Sequence, residues 1–91
     1  MAESARRVIV SGEVQGVGFR HYTKLRAREL GLSGWVQNLA DGRVEIWIEG
    51  REVLVEEMVD WLRNGPPTAR VRDIDAREVQ PAQFERFEVR H

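Results

Sequence analysis

The sequence predicts an α+β sandwich, in which one antiparallel sheet carries two helices on a single face. Three observations predict it. The segment RVEIWIE, Arg43–Glu49, alternates apolar and polar residues strictly, the period of a half-buried strand. The segment Arg51–Asn64 gathers Leu54, Val55, Met58, Val59, Trp61 and Leu62 on one broad helical face. Together with the flanking segments, these give the order β-α-β-β-α-β, which two right-handed crossovers joined by a hairpin satisfy. That order is the signature of the ferredoxin-like α+β sandwich.

Each element has a local reason. Arg7–Ser11, RVIVS, sets Val8 and Val10 on one face and reads as the first strand. His21–Leu30 reads as a helix closed by Gly31. Tyr22, Thr23, Ala27 and Leu30 share its inner side, Arg26 intrudes on that stripe and Leu25 lies off it. Gly34–Asn38 is a short strand, turned by LADGR, with Asp41-Gly42 as the turn signal, into Arg43–Glu49. Gly50 ends that strand, and Gly65-Pro66-Pro67 stops the second helix. Ala69–Val79 is a strand whose alternation breaks between Val71 and Ile74, where a bulge fits. After Pro81, FERFEV offers an extra C-terminal edge strand.

Composition narrows the function classes. With 91 residues, 42% hydrophobic and 32% charged, residues 1–91 are expected to form a single globular domain with one modest core. A net charge of −1 argues against a nucleic-acid partner. The absence of cysteine excludes disulfides and thiolate metal sites. His21 and His91 lie far apart in sequence and no ligand cluster surrounds either, so no metal and no cofactor is expected. The N-terminal MAESARR lacks an apolar targeting core, and no run is long enough to span a bilayer. A cytoplasmic protein without a membrane partner is the expectation, and a monomer the simplest state.

The chemistry is concentrated in GEVQGVGFR, Gly12–Arg20. It places three glycines between a strand and a helix N-terminus, where backbone N–H groups lack partners and the helix dipole is positive. Glycines let such groups turn inward as an anion nest. Arg20 adds a planar fork matched to two phosphate oxygens. The physical reading is a phosphate cradle formed by the backbone of Gln15, Gly16, Val17, Gly18, Phe19 and Arg20. The plainer alternative is a tight turn beside a solvated arginine, since the spacing is neither a Walker loop nor a dinucleotide fingerprint. Asn38 ends the strand whose tip approaches this loop. Its amide both donates and accepts, so it suits a water held against a bound phosphate, or simply the entry to a hairpin. Gln15 is placed to orient the loop through its amide, and Phe19 to anchor it in the core. His21 and the basic residues Lys24, Arg26 and Arg28 read as a solvated helix face, Asp73 and Asp75 as strand neighbours, and Trp35, Trp47 and Trp61 as core or half-core.

VSGEVQGVGFR, Val10–Arg20, resembles the phosphate-loop signature of the acylphosphatase family, and GWVQNLADGRVEIWIEG, Gly34–Gly50, resembles its second signature. Both match along their length, in the right order and separation, and the resemblance covers essentially the whole chain. It implies hydrolysis of the carboxyl-phosphate anhydride of an acyl phosphate to a carboxylate and inorganic phosphate. It also implies that Arg20 binds the substrate phosphate and Asn38 positions the attacking water. The chain departs from the family at Arg90-His91, where many members carry a tyrosine, and this is expected to bear on edge packing, not on catalysis. The length fits the free-standing enzyme better than the larger carbamoyl-transferring proteins that contain such domains.

Two other classes share the element order. An RNA-recognition domain needs aromatics displayed on its open sheet face. Here Glu45 and Glu49 flank Trp47 on that face and are expected to repel phosphates. A regulatory module that binds without turnover leaves the pairing of Arg20 with Asn38 unexplained.

Overall fold

The computed structural model describes residues 3–91. The chain folds as β1 (Glu3–Glu13), α1 (Phe19–Glu29), β2 (Ser33–Asn38), β3 (Val44–Arg51), α2 (Glu52–Asn64), β4 (Arg70–Val79) and β5 (Phe87–Arg90). The strands form one open sheet in the order β4-β1-β3-β2-β5. Both helices cover one face of it, and the ferredoxin-like α+β architecture holds. One feature of the sheet differs from expectation. β1, β3, β4 and β2 pair antiparallel, but β5 runs parallel to β2, so the sheet is mixed. The physical reason is connectivity. The segment after β4 crosses the uncovered face of the sheet before it reaches the far edge, and so enters β5 in the direction of β2.

The alternation read from the sequence decides which residues are buried. Val44, Ile46 and Ile48 of β3 and Val8 and Val10 of β1 are sealed against Val55, Met58, Val59 and Leu62 of α2. On α1, Thr23 and Ala27 face inward and Leu30 is half-buried, but Tyr22 is 41% exposed and does not join the inner side. Tyr22 instead lies against Gly18, the residue before the helix. α1 begins two residues earlier than its polar pattern suggests, because Phe19 turns into the core at the first helical position. It closes with Gly31 N–H donating to Arg28 O (3.1 Å) and Leu32 N–H to Ala27 O (2.8 Å), the paired bonds of a Schellman cap. The bulge sits where the alternation of β4 breaks. Ser11 faces Asp73 and Gly12 faces Val71, so Arg72 is the extra residue.

Glu45 and Glu49 are not displayed on the uncovered face. Glu45 is 7% exposed, bonded by Arg7 Nε (2.6 Å) and Gln37 Nε2 (2.7 Å). Glu49 is 3% exposed and accepts from Trp47 Nε1 (2.9 Å), Ala82 N–H (2.8 Å) and Phe84 N–H (2.6 Å). Three donors on one carboxylate satisfy a buried charge that burial alone would not tolerate. They also clasp the segment before β5 onto this face, where Phe84 meets Trp47 edge-on. The face that an RNA-recognition domain leaves open is therefore partly covered here, and the acidic residues act as internal acceptors instead of repelling groups.

Gly34 marks the closest approach of two strands. A Cβ on it would lie 1.8 Å from the carbonyl oxygen of Trp47, at a backbone φ of 133°. Neither backbone can yield without breaking the β2–β3 ladder. Gly34→Ala is expected to destabilise the fold by about 3 kcal/mol or more, from steric overlap added to backbone strain. Urea unfolding of the variant beside the wild type measures it.

Candidate active site

The loop between β1 and α1 is built by its supports before it is built by its glycines. Val14 is buried at its start and Phe19 at its end. Burying a phenylalanine side chain contributes about 1.5–3 kcal/mol, which fixes where the helix begins. The Phe19 ring lies under Gly65, at the end of α2. Gln15 Nε2 donates to Leu39 O and Arg43 O, both at 2.8 Å, and so ties the loop to the β2–β3 hairpin. Thr68 Oγ1 donates to Val17 O (2.6 Å) from the opposite side. Sequence reasoning found Gln15 and Phe19 but not Thr68, whose only signal is its place after the helix-stopping prolines.

Held at those points, the loop takes two turns that only glycine adopts readily, with φ of 75° at Gly16 and 78° at Gly18. Gly18 is the residue preceding α1 and has no side chain to cap it. The first intrahelical bond runs from Tyr22 N–H to Gly18 O (3.0 Å). The N–H groups of Phe19, Arg20 and His21 are thus left without an acceptor inside the helix, at its positive end.

These groups border a cleft of about 310 Å³. Gly16, Gly18, Phe19 and Arg20 of the predicted cradle line it, and Asn38 lines it from the end of β2. Gln15 and Val17 contribute through the loop's supports instead. The topology explains why Asn38 arrives here. β2 lies two strands from β1 with β3 between, and Asn38 pairs with Val44 at the same end of the sheet where Val44 faces Val10. The turn beyond it is fixed by Asp41, which accepts from Arg43 N–H (3.1 Å) and Arg43 Nε (2.8 Å). The Arg43 backbone N–H is the main reason the Asp41 carboxyl is held below the ordinary aspartate range.

Arg20 is half-buried, and its Nη1 donates to Arg90 O (3.1 Å) with His91 Nδ1 at 3.4 Å. The guanidinium is thereby fastened to the end of β5, with its remaining donors available to the cleft. Asn38 Oδ1 is withdrawn from solvent and accepts no hydrogen bond among the described residues. An unpaired buried acceptor costs about 1–3 kcal/mol, the kind of expense found where a group serves a ligand.

Three further residues line the cleft that were read from the sequence as surface or edge positions. They are His21, Lys24 and His91. The two histidines, far apart in sequence, are brought to one cavity because β5 returns the chain beside β2 and α1. Only the topology carries that signal. Among the described residues, no cluster of three or more histidine, cysteine or carboxylate side chains is arranged to hold a metal ion. No helix among them is long and apolar enough to cross a membrane.

The arrangement of unpaired amides, a tethered guanidinium and a lone amide acceptor is suited to a tetrahedral anion and a water beside it. Comparison with known proteins shows which family the chain belongs to. The acylphosphatase family profile matches residues 6–89. An acylphosphatase from Acaryochloris marina is 45% identical over 83 residues, which cover 91% of this chain and 89% of the relative. One from Rubrobacter xylanophilus is 52% identical over 94 aligned residues, covering 97% of this chain and 86% of the relative. The crystal structure of acylphosphatase from Bacillus subtilis superposes with a TM-score of 0.93 at 40% identity, covering 97% of this chain and 99% of that one. A glycine loop ending on Arg20, faced by Asn38 across one cleft, thus occurs in a chain that matches these enzymes nearly end to end. By sequence and by fold, the chain belongs to the acylphosphatase family, whose members hydrolyse acyl phosphates.

Proposed function

We propose that the cleft hydrolyses acyl phosphates by positioning and charge stabilisation alone, with Arg20 and Asn38 as its catalytic residues. The observation that carries this reading is the meeting of Arg20, the glycine loop and the unpaired Asn38 acceptor in one cleft. The phosphoryl oxygens are bound by the backbone N–H groups of residues 15–20 and by the Arg20 guanidinium. The side-chain amide of Asn38 holds a water and aligns it opposite the departing carboxylate. As the water oxygen bonds to phosphorus, the bond from phosphorus to the acyl oxygen breaks and the carboxylate leaves with the electron pair. The water proton passes to a phosphoryl oxygen of the substrate itself.

So few groups are sufficient because the leaving group is a weak base. A carboxylate departs without a general acid, so the acid–base pair required by less activated substrates has no counterpart here. What is left is the stabilisation of redistributing phosphoryl charge, the main task in phosphoryl transfer. The cleft offers amides, the Arg20 and Lys24 cations and two histidines but no carboxylate side chain, and we infer a reaction that runs without a metal. We also infer that residues 1–91 act as one domain, that the protein works as a cytoplasmic monomer, and that neither nucleic acid nor membrane is a partner.

The test is hydrolysis of benzoyl phosphate in the presence of excess chelator. Rapid release of phosphate, unaffected by the chelator, is expected. A folded protein that binds phosphate without turnover would place the cleft among regulatory binding modules.

A further inference from the structure

We propose that the part of the cleft beyond the phosphate loop is a second anion subsite. Lys24, with His21 and His91 beside it, selects acyl phosphates whose acyl part carries another negative group. This rests on the acyl-phosphate reading of the same cleft.

The argument begins with how this chain uses its basic residues. On α1, Arg26 is paired with Glu29 (2.6 Å) and Arg28 donates to Phe87 O (3.1 Å). Elsewhere Arg7, Arg43, Arg63, Arg70, Arg77 and Arg86 each stand within 4 Å of a carboxylate. Lys24 and Arg72 have neither an ion pair nor a hydrogen bond among the described residues, and of the two only Lys24 lines the cleft. Acidic residues outnumber basic ones, 15 to 14, so the lack of a partner at this place is not a shortage of carboxylates.

Geometry gives the unpartnered charge a direction. Lys24 follows Arg20 by four residues on α1, so the two lie one turn apart on the same helical face, and both line the cleft. Like charges at that spacing destabilise a helix by a few tenths of a kcal/mol. His21 and His91 add polar nitrogen to the same cleft, and none of the described side chains lining it is acidic. One phosphoryl group is met by the loop and Arg20. The remaining nitrogen groups and the apolar Val89 line the same cleft and are left for the acyl part. A neutral acyl chain would leave Lys24 without a partner, whereas one ending in a carboxylate supplies it.

The experiment compares glutaryl phosphate with pentanoyl phosphate, two five-carbon acyl chains that differ in a terminal carboxylate, with spontaneous hydrolysis subtracted. At low ionic strength kcat/KM is expected to favour the glutaryl compound by about two- to fivefold, the upper part of the range for an exposed ion pair. Lys24→Gln should bring the ratio close to one and Lys24→Arg should keep it. Arg63→Gln removes one positive charge on α2, outside the cleft, and should also keep it. A wild-type ratio near one, with both compounds hydrolysed, overturns the subsite and leaves the catalytic reading standing. Equal loss of the ratio in Arg63→Gln and Lys24→Gln overturns it too, since the preference would then come from overall charge. Failure to hydrolyse either compound overturns both readings.

Discussion

Replacing Arg20 with alanine should lower kcat/KM for benzoyl phosphate by about 10²–10³, the range for removing a charge-stabilising donor from an acyl- or phosphoryl-transfer site. The loss should appear in KM and kcat together, because the guanidinium holds the phosphoryl group both before and during bond breaking. The structure adds a condition to this result. The bonds of Arg20 to the protein are made at exposed positions, to Arg90 O and towards His91, so its removal takes little from the core. The variant should unfold close to the wild-type midpoint in urea. Arg20→Lys keeps the charge but loses the planar fork and the geometry of the tether to β5, and should recover only a part of the rate. Wild-type turnover in Arg20→Ala would remove the guanidinium from the mechanism.

Asn38→Ala separates binding from chemistry. Loss of water alignment should lower kcat by about 10², the effect of misplacing a reacting group by roughly 1 Å. Inorganic phosphate should inhibit the variant about as well as the wild type, since the loop and Arg20 are untouched. Stability should move the other way. Asn38 Oδ1 is buried without a donor, and deleting it relieves a penalty of about 1–3 kcal/mol, set against a small loss of packing. A melting temperature equal to or above wild type, with kcat reduced, is the expected pair of results. A variant that loses stability and rate in proportion would mark Asn38 as a hairpin residue only.

Much of this was legible in the sequence because local rules and global topology agree at the positions that matter. The strict alternation of Val44, Ile46 and Ile48 fixed the inner face of β3, and the break between Val71 and Ile74 marked the bulge that the structure places at Arg72. The turns of the glycine loop were legible because positive φ is read directly from glycine, as Gly16 and Gly18 show. The misreadings share a physical cause: they depend on what a distant segment covers. Glu45 and Glu49 read as outward carboxylates, but Arg7 and Gln37 of the neighbouring strands hold Glu45, and the segment before β5 lays Ala82 and Phe84 N–H groups against Glu49. Tyr22 fits the periodicity of α1, yet its ring lies against Gly18 at the start of the helix and stays 41% exposed. The parallel direction of β5 follows from the path of that same segment, and no periodicity in four residues encodes it. Lys24 and His91 joined the cleft for the same reason, since the return of β5 forms its far wall.

The tether between Arg20 and β5 links the chemistry to the molecule's margin. Arg90 stands 70 positions from Arg20 in the chain, on a four-residue strand paired on one side only. Short outer strands open with far less free energy than the central ladder. Phe87 anchors the start of this strand in the core, but fraying of its end at Arg90 would release the guanidinium while that core stays closed. If Arg20 acts as proposed, inactivation by heat or denaturant should begin at this rim, ahead of any collapse of the sheet.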